Sequence, residues 1–146
     1  KFTNDESPND RKNIIKDFTN FNIDAILAMR ILDEGIDLPG VEKAFLLAST
    51  SNKRQFVQRR GRILRKSDGK EKSIIYDFIV LPEKGKDCAF VSREVDRLIE
   101  IGCDALQDSK EKTKKLVNEI ISSYKVNDDI LRKALHFVKN GEKLIE

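Results

Sequence analysis

The chain has 146 residues, of which 39% are apolar and 36% are charged, and its formal net charge is +3. This length supports one compact core with appendages and is too short for two full-sized domains. No apolar run approaches the roughly eighteen residues that cross a membrane, so we expect a soluble, cytoplasmic protein. With one histidine and two cysteines that lack metal-ligand spacing, we expect neither a metal site nor a Ser-His-Asp triad.

The amino-terminal part of the chain carries the signals of a layered α/β domain. Apolar residues at helical spacing between Asn9 and Phe18, after the polar start Ser7-Pro8, predict a short amphipathic helix. Three short apolar runs follow, the first two separated by a loop and the last two by a predicted helix over Lys53–Leu64. These runs predict strands buried on both faces of a parallel sheet, over Ile23–Met29, Val41–Ser49 and Ile74–Leu81. The alternation of helices and strands indicates the α/β class.

The carboxyl-terminal part is predicted to be helical from about residue 87. Its apolar residues recur at helical spacing, with breaks near Gly102 and Val126-Asn127-Asp128, which predicts three helices. A lysine run over 110–115 indicates a solvated helix face. The apolar residues that mark these helices are Val91, Val95, Leu98, Ile99, Ile101, Leu116, Val117, Ile120, Ile121, Ile130, Leu131, Leu135 and Val138. We therefore divide the chain into an α/β part, residues 1–86, and a helical extension, residues 87–146.

The segment Gln58–Arg65, the arginine motif, is the strongest functional signal. In a helix, Gln58, Arg62 and Arg65 share one face, while Ile63 and Leu64 can face a core. Guanidinium groups are always charged, and their planar donors match the oxygens of a phosphoryl group. Two interpretations are open from this segment alone, namely arginine fingers for a nucleoside triphosphate and a solvated basic helix face.

The charge of the chain is concentrated around this motif. Between Lys53 and Lys72 the sequence has nine basic and two acidic residues, a local charge of +7 that leaves −4 for the remainder. Such a cluster can bind nucleic-acid phosphates through counterion release, without any nucleotide chemistry.

A second motif, the loop motif, covers Asp33–Pro39. Its pair Asp33-Glu34 could be taken for a Mg²⁺-binding acidic box, but it belongs to a loop with Gly35 and Asp37. The chain also has no Gly-x-x-x-x-Gly-Lys-Ser/Thr loop that would hold phosphates. Both motifs follow the carboxyl ends of predicted strands, where open α/β sheets bind their ligands.

Together the two motifs resemble the second RecA-like domain of the superfamily-2 DEAD/DEAH-type helicases and translocases. Residues 26–39 resemble motif V and Gln58–Arg65 resembles motif VI, in the expected order and at the expected separation. The glutamine at the head of motif VI and the EGIDLP form of motif V are closer to the DNA repair and restriction helicases than to the RNA helicases. The resemblance covers about residues 9–82 and implies a partial RecA-like parallel sheet with flanking helices.

The resemblance also implies roles for single residues. Arg62 and Arg65 are expected as catalytic fingers for the γ-phosphate, and Gln58 as a sensor of the bound nucleotide. Asp37 would lie near the ribose, with Gly35 allowing close backbone approach.

Nucleic acid is expected at the start of motif V, at Met29 and Arg30. Family members often have threonine where this chain has Met29. A phosphate contact there would therefore come from a backbone N–H or from Arg30.

We therefore expect a carboxyl-terminal part of an ATP-dependent DNA helicase or translocase, with DNA favoured over RNA. ATP would bind between this domain and an upstream RecA-like domain, which would hold Mg²⁺, so the chain alone should be inactive. The alternatives are a non-catalytic nucleic-acid-binding module and a partner-docking module built on the helical extension. Oligomeric state, polarity of movement and biological pathway are left open.

Overall fold

The computed structural model describes residues 6–27, 41–46, 61 and 70–144. The chain forms two compact units, Lys1–Phe78 and Ile79–Glu146. The described elements are, in order, α1 (Pro8–Thr19), β1 (Lys43–Leu46), β2 (Ile74–Asp77), α2 (Cys88–Cys103), α3 (Gln107–Ser123) and α4 (Asp128–Asn140). This confirms a partial α/β fold followed by a helical tail. No described helix is long and apolar enough to cross a membrane. The functional division after residue 86 stays a prediction.

Helix α1 begins where the sequence predicts it. The Ser7 hydroxyl accepts a 3.2 Å hydrogen bond from the main-chain N–H of Asp10, and Pro8 occupies the first helical position. Proline suits this position because its fixed φ is already helical and the N–H that it lacks would have no partner there. The helix spans Pro8–Thr19, so the predicted helix is confirmed with one extra residue at each end.

Strands β1 and β2 form a parallel pair. The register aligns Lys43 with Ile74 and Leu46 with Asp77. At the two ends, the N–H of Ile74 donates to the carbonyl of Glu42 at 2.7 Å and the N–H of Phe78 donates to the carbonyl of Leu46 at 3.4 Å. Two of the three predicted strands are therefore confirmed, and β2 is shorter than its apolar run.

The remaining strand prediction, Ile23–Met29, is wrong for its described part. Residues Ile23–Leu27 have irregular backbone, and the Leu27 side chain is 63% exposed. An apolar run indicates that its side chains tend to be buried. A strand also needs a neighbouring strand that completes its main-chain hydrogen bonds. Within the described residues, the pair β1–β2 makes up the sheet.

Burial of the strands on both faces, which the apolar runs predict, is also wrong for the described residues. Exposure alternates along β1 and β2, so that one face is half-buried and the other is open. On the open face Phe45 and Tyr76 stack at 4.6 Å between ring centroids, and they are 62% and 45% exposed. Stacking covers part of each ring, but two strands are too narrow to bury a face by themselves.

The helical unit has the larger described core. Helices α2, α3 and α4 match the three predicted helices and their two breaks. Its buried cluster consists of Val91, Val95, Leu98, Ile99, Val117, Ile120, Val126, Ile130, Ala134 and Phe137. Two of the apolar residues that mark these helices lie outside the core, since Leu116 is 38% exposed and Leu135 is 53% exposed. In α4 the buried face is centred on Ala134 and Phe137, because an amphipathic helix can bury only part of a broad apolar stripe.

Two ion pairs fasten charged side chains of α2 within the helical unit. The Arg97 guanidinium is 2.5 Å from the Glu94 carboxylate, and the two side chains are 7% and 14% exposed. The Lys143 ammonium is 2.5 Å from the buried Glu100 carboxylate. A buried charge needs such a partner because removing an ion from water costs on the order of several kcal/mol. The second pair also fixes the chain beyond α4 to α2.

Candidate nucleotide and nucleic-acid interface

The seven predicted site residues lie outside the part of the chain that the structure describes. They are Met29, Arg30, Gly35, Asp37, Gln58, Arg62 and Arg65. The described surroundings of these residues are α1, the pair β1–β2 and Gly61. The roles assigned to the seven residues stay predictions.

Gly61 is the one described residue of the arginine motif. Its backbone is helical and exposed, and a Cβ added there would meet no atom within 4 Å. Glycine inside a helix costs about 1 kcal/mol relative to alanine. Packing within the chain therefore does not require glycine at this position. The absence of a side chain leaves room for another molecule to approach the backbone closely.

The carboxyl edge of the β1–β2 pair is the described part of the expected ligand site. Leu46 and Asp77 lie side by side at this edge because the strands are parallel and in register. The chain leaves β1 there and continues to the arginine motif. Open α/β sheets bind ligands beyond this edge. The loop motif differs in this respect, because Ile23–Leu27 is irregular and no described strand leads into the loop.

Asp77 is a candidate position that the sequence motifs did not select. It is half-buried at the carboxyl end of β2, next to Leu46. The available signal was the single acidic residue inside the apolar run Ile74–Leu81. Asp77 is a candidate because of its position, since open α/β sheets bind ligands beyond the carboxyl ends of their strands.

The carboxyl end of α1 forms a hydrogen-bonded turn that leads towards Met29 and Arg30. The main-chain N–H of Asn22 donates to the carbonyl of Asp17 at 2.8 Å, and the Asn22 side-chain amide donates to the Asp17 carboxylate at 3.3 Å. Phe21 lies inside this turn with φ of +59° and is 92% exposed. The turn therefore presents an aromatic ring to solvent a few residues before the predicted nucleic-acid contact.

The clear pKa shifts among the described residues belong to the helical unit. Burial raises the pKa of the Cys103 thiol, although the nearby Lys143 opposes this effect. Hydrogen bonds from Lys133 and Arg132 lower the pKa of the Asp129 carboxyl. Among the described residues, no group of three or more His, Cys, Asp or Glu side chains could hold a metal ion.

Comparison with known proteins finds a family model that matches the amino-terminal part. Residues 1–67 match the helicase conserved C-terminal domain, a stretch that includes both motifs and all seven predicted site residues. The chain is 41% identical over 59 residues, 40% of its length, to the DNA 3'-5' translocase XPB2 of Sulfurisphaera tokodaii. It is 27% identical over 97 residues, 63% of its length, to "Putative helicase 22" of Sulfolobus islandicus filamentous virus.

These relatives are much longer than the chain, which spans 13% of the first and 17% of the second. The match to the viral protein covers more of the chain than the 78 residues of the first unit, so it reaches into the helical unit. No solved structure matches the chain. Motif order, a parallel strand pair and the match over residues 1–67 agree in making this part of the chain similar to the helicase conserved C-terminal domain.

Proposed function

We propose that the chain is part of an ATP-dependent DNA helicase or translocase, in which residues 1–86 form the second RecA-like half of the motor. The observation that carries this proposal is the family match over residues 1–67, which spans the loop motif and the arginine motif in the order that the resemblance implies. DNA is favoured over RNA because the relative with 41% identity is named as a DNA translocase.

In this proposal the two arginines complete an ATP site between two RecA-like domains. Arg62 and Arg65 bind the γ-phosphate oxygens, and Gln58 senses the nucleotide. Asp37 lies near the ribose, and Gly35 gives the backbone room to approach it. Guanidinium groups suit this task because their fixed charge and planar donors match a phosphoryl group whose charge spreads in the transition state.

The polar side chains of the two motifs could bind only part of a nucleotide. Arginine, glutamine and aspartate side chains can bind phosphate and ribose, but the sequence has no glycine-rich phosphate loop followed by Lys and Ser/Thr. Mg²⁺ is therefore assigned to an upstream RecA-like domain of the same protein. ATP, once bound there, would supply the free energy of hydrolysis, and the chain alone would not turn it over.

Movement along nucleic acid would come from opening and closing of the two domains. Met29 and Arg30 contribute to the track for one strand, through the backbone N–H or the Arg30 side chain. Arg30 can hold a backbone phosphate by charge-assisted hydrogen bonds. When the domains close around the nucleotide, this contact would shift relative to contacts on the upstream domain.

A non-catalytic nucleic-acid-binding module is the second candidate, because the segment Lys53–Lys72 has a local charge of +7. A phosphate-binding patch weakens gradually as single charges are removed, whereas a catalytic finger acts all at once. Arg59 and Arg62 belong to the same basic segment, and only Arg62 is assigned as a finger. They form a matched pair for distinguishing the two candidates.

The decisive experiment measures ATP hydrolysis by the full-length parent protein, with and without single-stranded DNA, for the unaltered protein, Arg62→Ala and Arg59→Ala. We expect DNA to stimulate turnover, Arg62→Ala to lower it about 10³-fold or more, and Arg59→Ala to keep most of it. Circular dichroism checks that each variant is folded. Normal turnover by Arg62→Ala, or small and equal losses of DNA binding from both variants with turnover unchanged, would favour the binding module.

A further inference from the structure

Phe21 combines two features that each cost free energy in the isolated molecule. Its backbone has φ of +59°, in the left-handed region that side chains with a Cβ rarely adopt. Its ring is 92% exposed, so it gains almost nothing from burial. Glycine would suit the end of α1 better on both counts, because it enters this region without strain and exposes no apolar surface.

The turn around Phe21 is held firmly. The N–H of Asn20 donates to the carbonyl of Lys16 at 2.9 Å, and the N–H of Phe21 donates to the carbonyl of Phe18 at 3.1 Å. With the two bonds from Asn22 to Asp17, three main-chain hydrogen bonds and one side-chain hydrogen bond hold the turn that carries the ring. The ring is therefore presented in a defined place, which lowers the entropy that a partner loses on binding it.

We propose that the Phe21 ring is a stacking platform for a base of single-stranded nucleic acid, an inference that rests on the proposed function. An aromatic face stacks on any base, which suits a motor that moves along a strand irrespective of sequence. The flanking Asn20 and Asn22 are neutral and exposed, and Lys16 lies exposed one turn earlier. Two acidic residues, Asp17 and Asp24, are also near in sequence, and the Asp17 carboxylate accepts a hydrogen bond from the Asn22 side-chain amide. The chain then continues to Met29 and Arg30, the predicted phosphate contacts.

The test uses the whole chain and a fluorescein-labelled oligothymidine, with binding followed by fluorescence anisotropy over a range of salt concentrations. Three variants separate the contributions of the ring. Phe21→Leu keeps apolar bulk without an aromatic face, Phe21→Tyr keeps the face, and Phe21→Gly removes both bulk and strain. Thermal melting of each variant reports the fold, and Phe21→Gly is expected to melt higher than the unaltered chain.

We expect Phe21→Leu and Phe21→Gly to weaken binding about 5- to 150-fold, the usual range for losing one base stack, while Phe21→Tyr stays within about twofold. The loss should be the same at every salt concentration, because stacking releases no counterions and leaves the salt slope unchanged. A Phe21→Gly variant that is more stable but binds less tightly would show that the strained ring is kept for binding.

Two results would overturn the inference while leaving the proposed function intact. One is tight binding of oligothymidine by both the unaltered chain and Phe21→Leu, as expected if the ring docks into a protein pocket instead. The other is a loss in Phe21→Leu that disappears at high salt, which would mark an electrostatic effect. If the unaltered chain does not bind the oligonucleotide at any salt concentration, the inference and the nucleic-acid part of the proposed function both fail.

Discussion

The main-chain N–H of Asn127 donates a 3.0 Å hydrogen bond to the hydroxyl of Ser92, whose side chain is 2% exposed. The same asparagine begins α4, since its side-chain oxygen accepts a 2.8 Å hydrogen bond from the N–H of Ile130. One residue therefore caps α4 and ties the start of that helix to α2. This contact sets the relative position of two of the three helices in the helical unit.

Loss of either hydrogen bond should destabilise the helical unit. Ser92→Ala removes the acceptor of the Asn127 N–H, and we expect it to lower the free energy of unfolding by about 1 kcal/mol. Asn127→Ala removes the cap and should cost about 1 kcal/mol. Urea unfolding of the whole chain, followed by circular dichroism, measures both changes. Asn127→Asp is the control, because aspartate caps equally well. A Ser92→Ala variant as stable as the unaltered chain would contradict this prediction.

Gly102 is packed too closely by its neighbours to accommodate a side chain. A Cβ at this position would overlap the Phe137 ring and would lie 2.8 Å from the Thr113 methyl group. Alanine favours a helix over glycine by about 1 kcal/mol, but overpacking a core costs about 1–3 kcal/mol. We therefore expect Gly102→Ala to lower the melting temperature, and combining it with Phe137→Leu to recover part of the loss.

Gly61→Ala is the matched control for this substitution. A Cβ at Gly61 meets no atom within 4 Å, so helix propensity is the remaining effect and stability should be unchanged or higher. Equal losses of melting temperature in Gly61→Ala and Gly102→Ala would show that packing at Gly102 is not the cause.

Asp129 should make the helical unit sensitive to acid. Hydrogen bonds from Lys133 at 2.7 Å and Arg132 at 3.0 Å lower its pKa below the ordinary 3.8. Because the folded-state pKa is depressed, the stabilisation is present above pH 3.8 and is lost as pH falls through the folded-state pKa. An NMR titration of the Asp129 carboxyl should have its midpoint below 3.8, and Lys133→Met should raise it. A midpoint that Lys133→Met leaves unchanged would rule out this cause.

Helix α1 and the helical unit were predictable because their signals are local. Ser7-Pro8 starts α1, and Asn127 starts α4, through hydrogen bonds that reach only three residues along the chain. The strand predicted over Ile23–Met29 was wrong in its described part because strand pairing depends on a neighbour from another part of the sequence.

The sequence by itself determined the resemblance to the second helicase domain, through the order and spacing of Gly35, Asp37, Gln58, Arg62 and Arg65, because a sequence motif is local and can be read without knowing the fold. Tertiary structure alone decided that Ser92, Arg97 and Glu100 are buried while Leu116 and Leu135 are exposed. Periodicity identifies a helix with an apolar face, whereas the neighbouring helices determine which part of that face is covered. The exposure of the Phe21 ring could not be predicted from the sequence either, because it depends on whether residues distant in sequence pack against the ring.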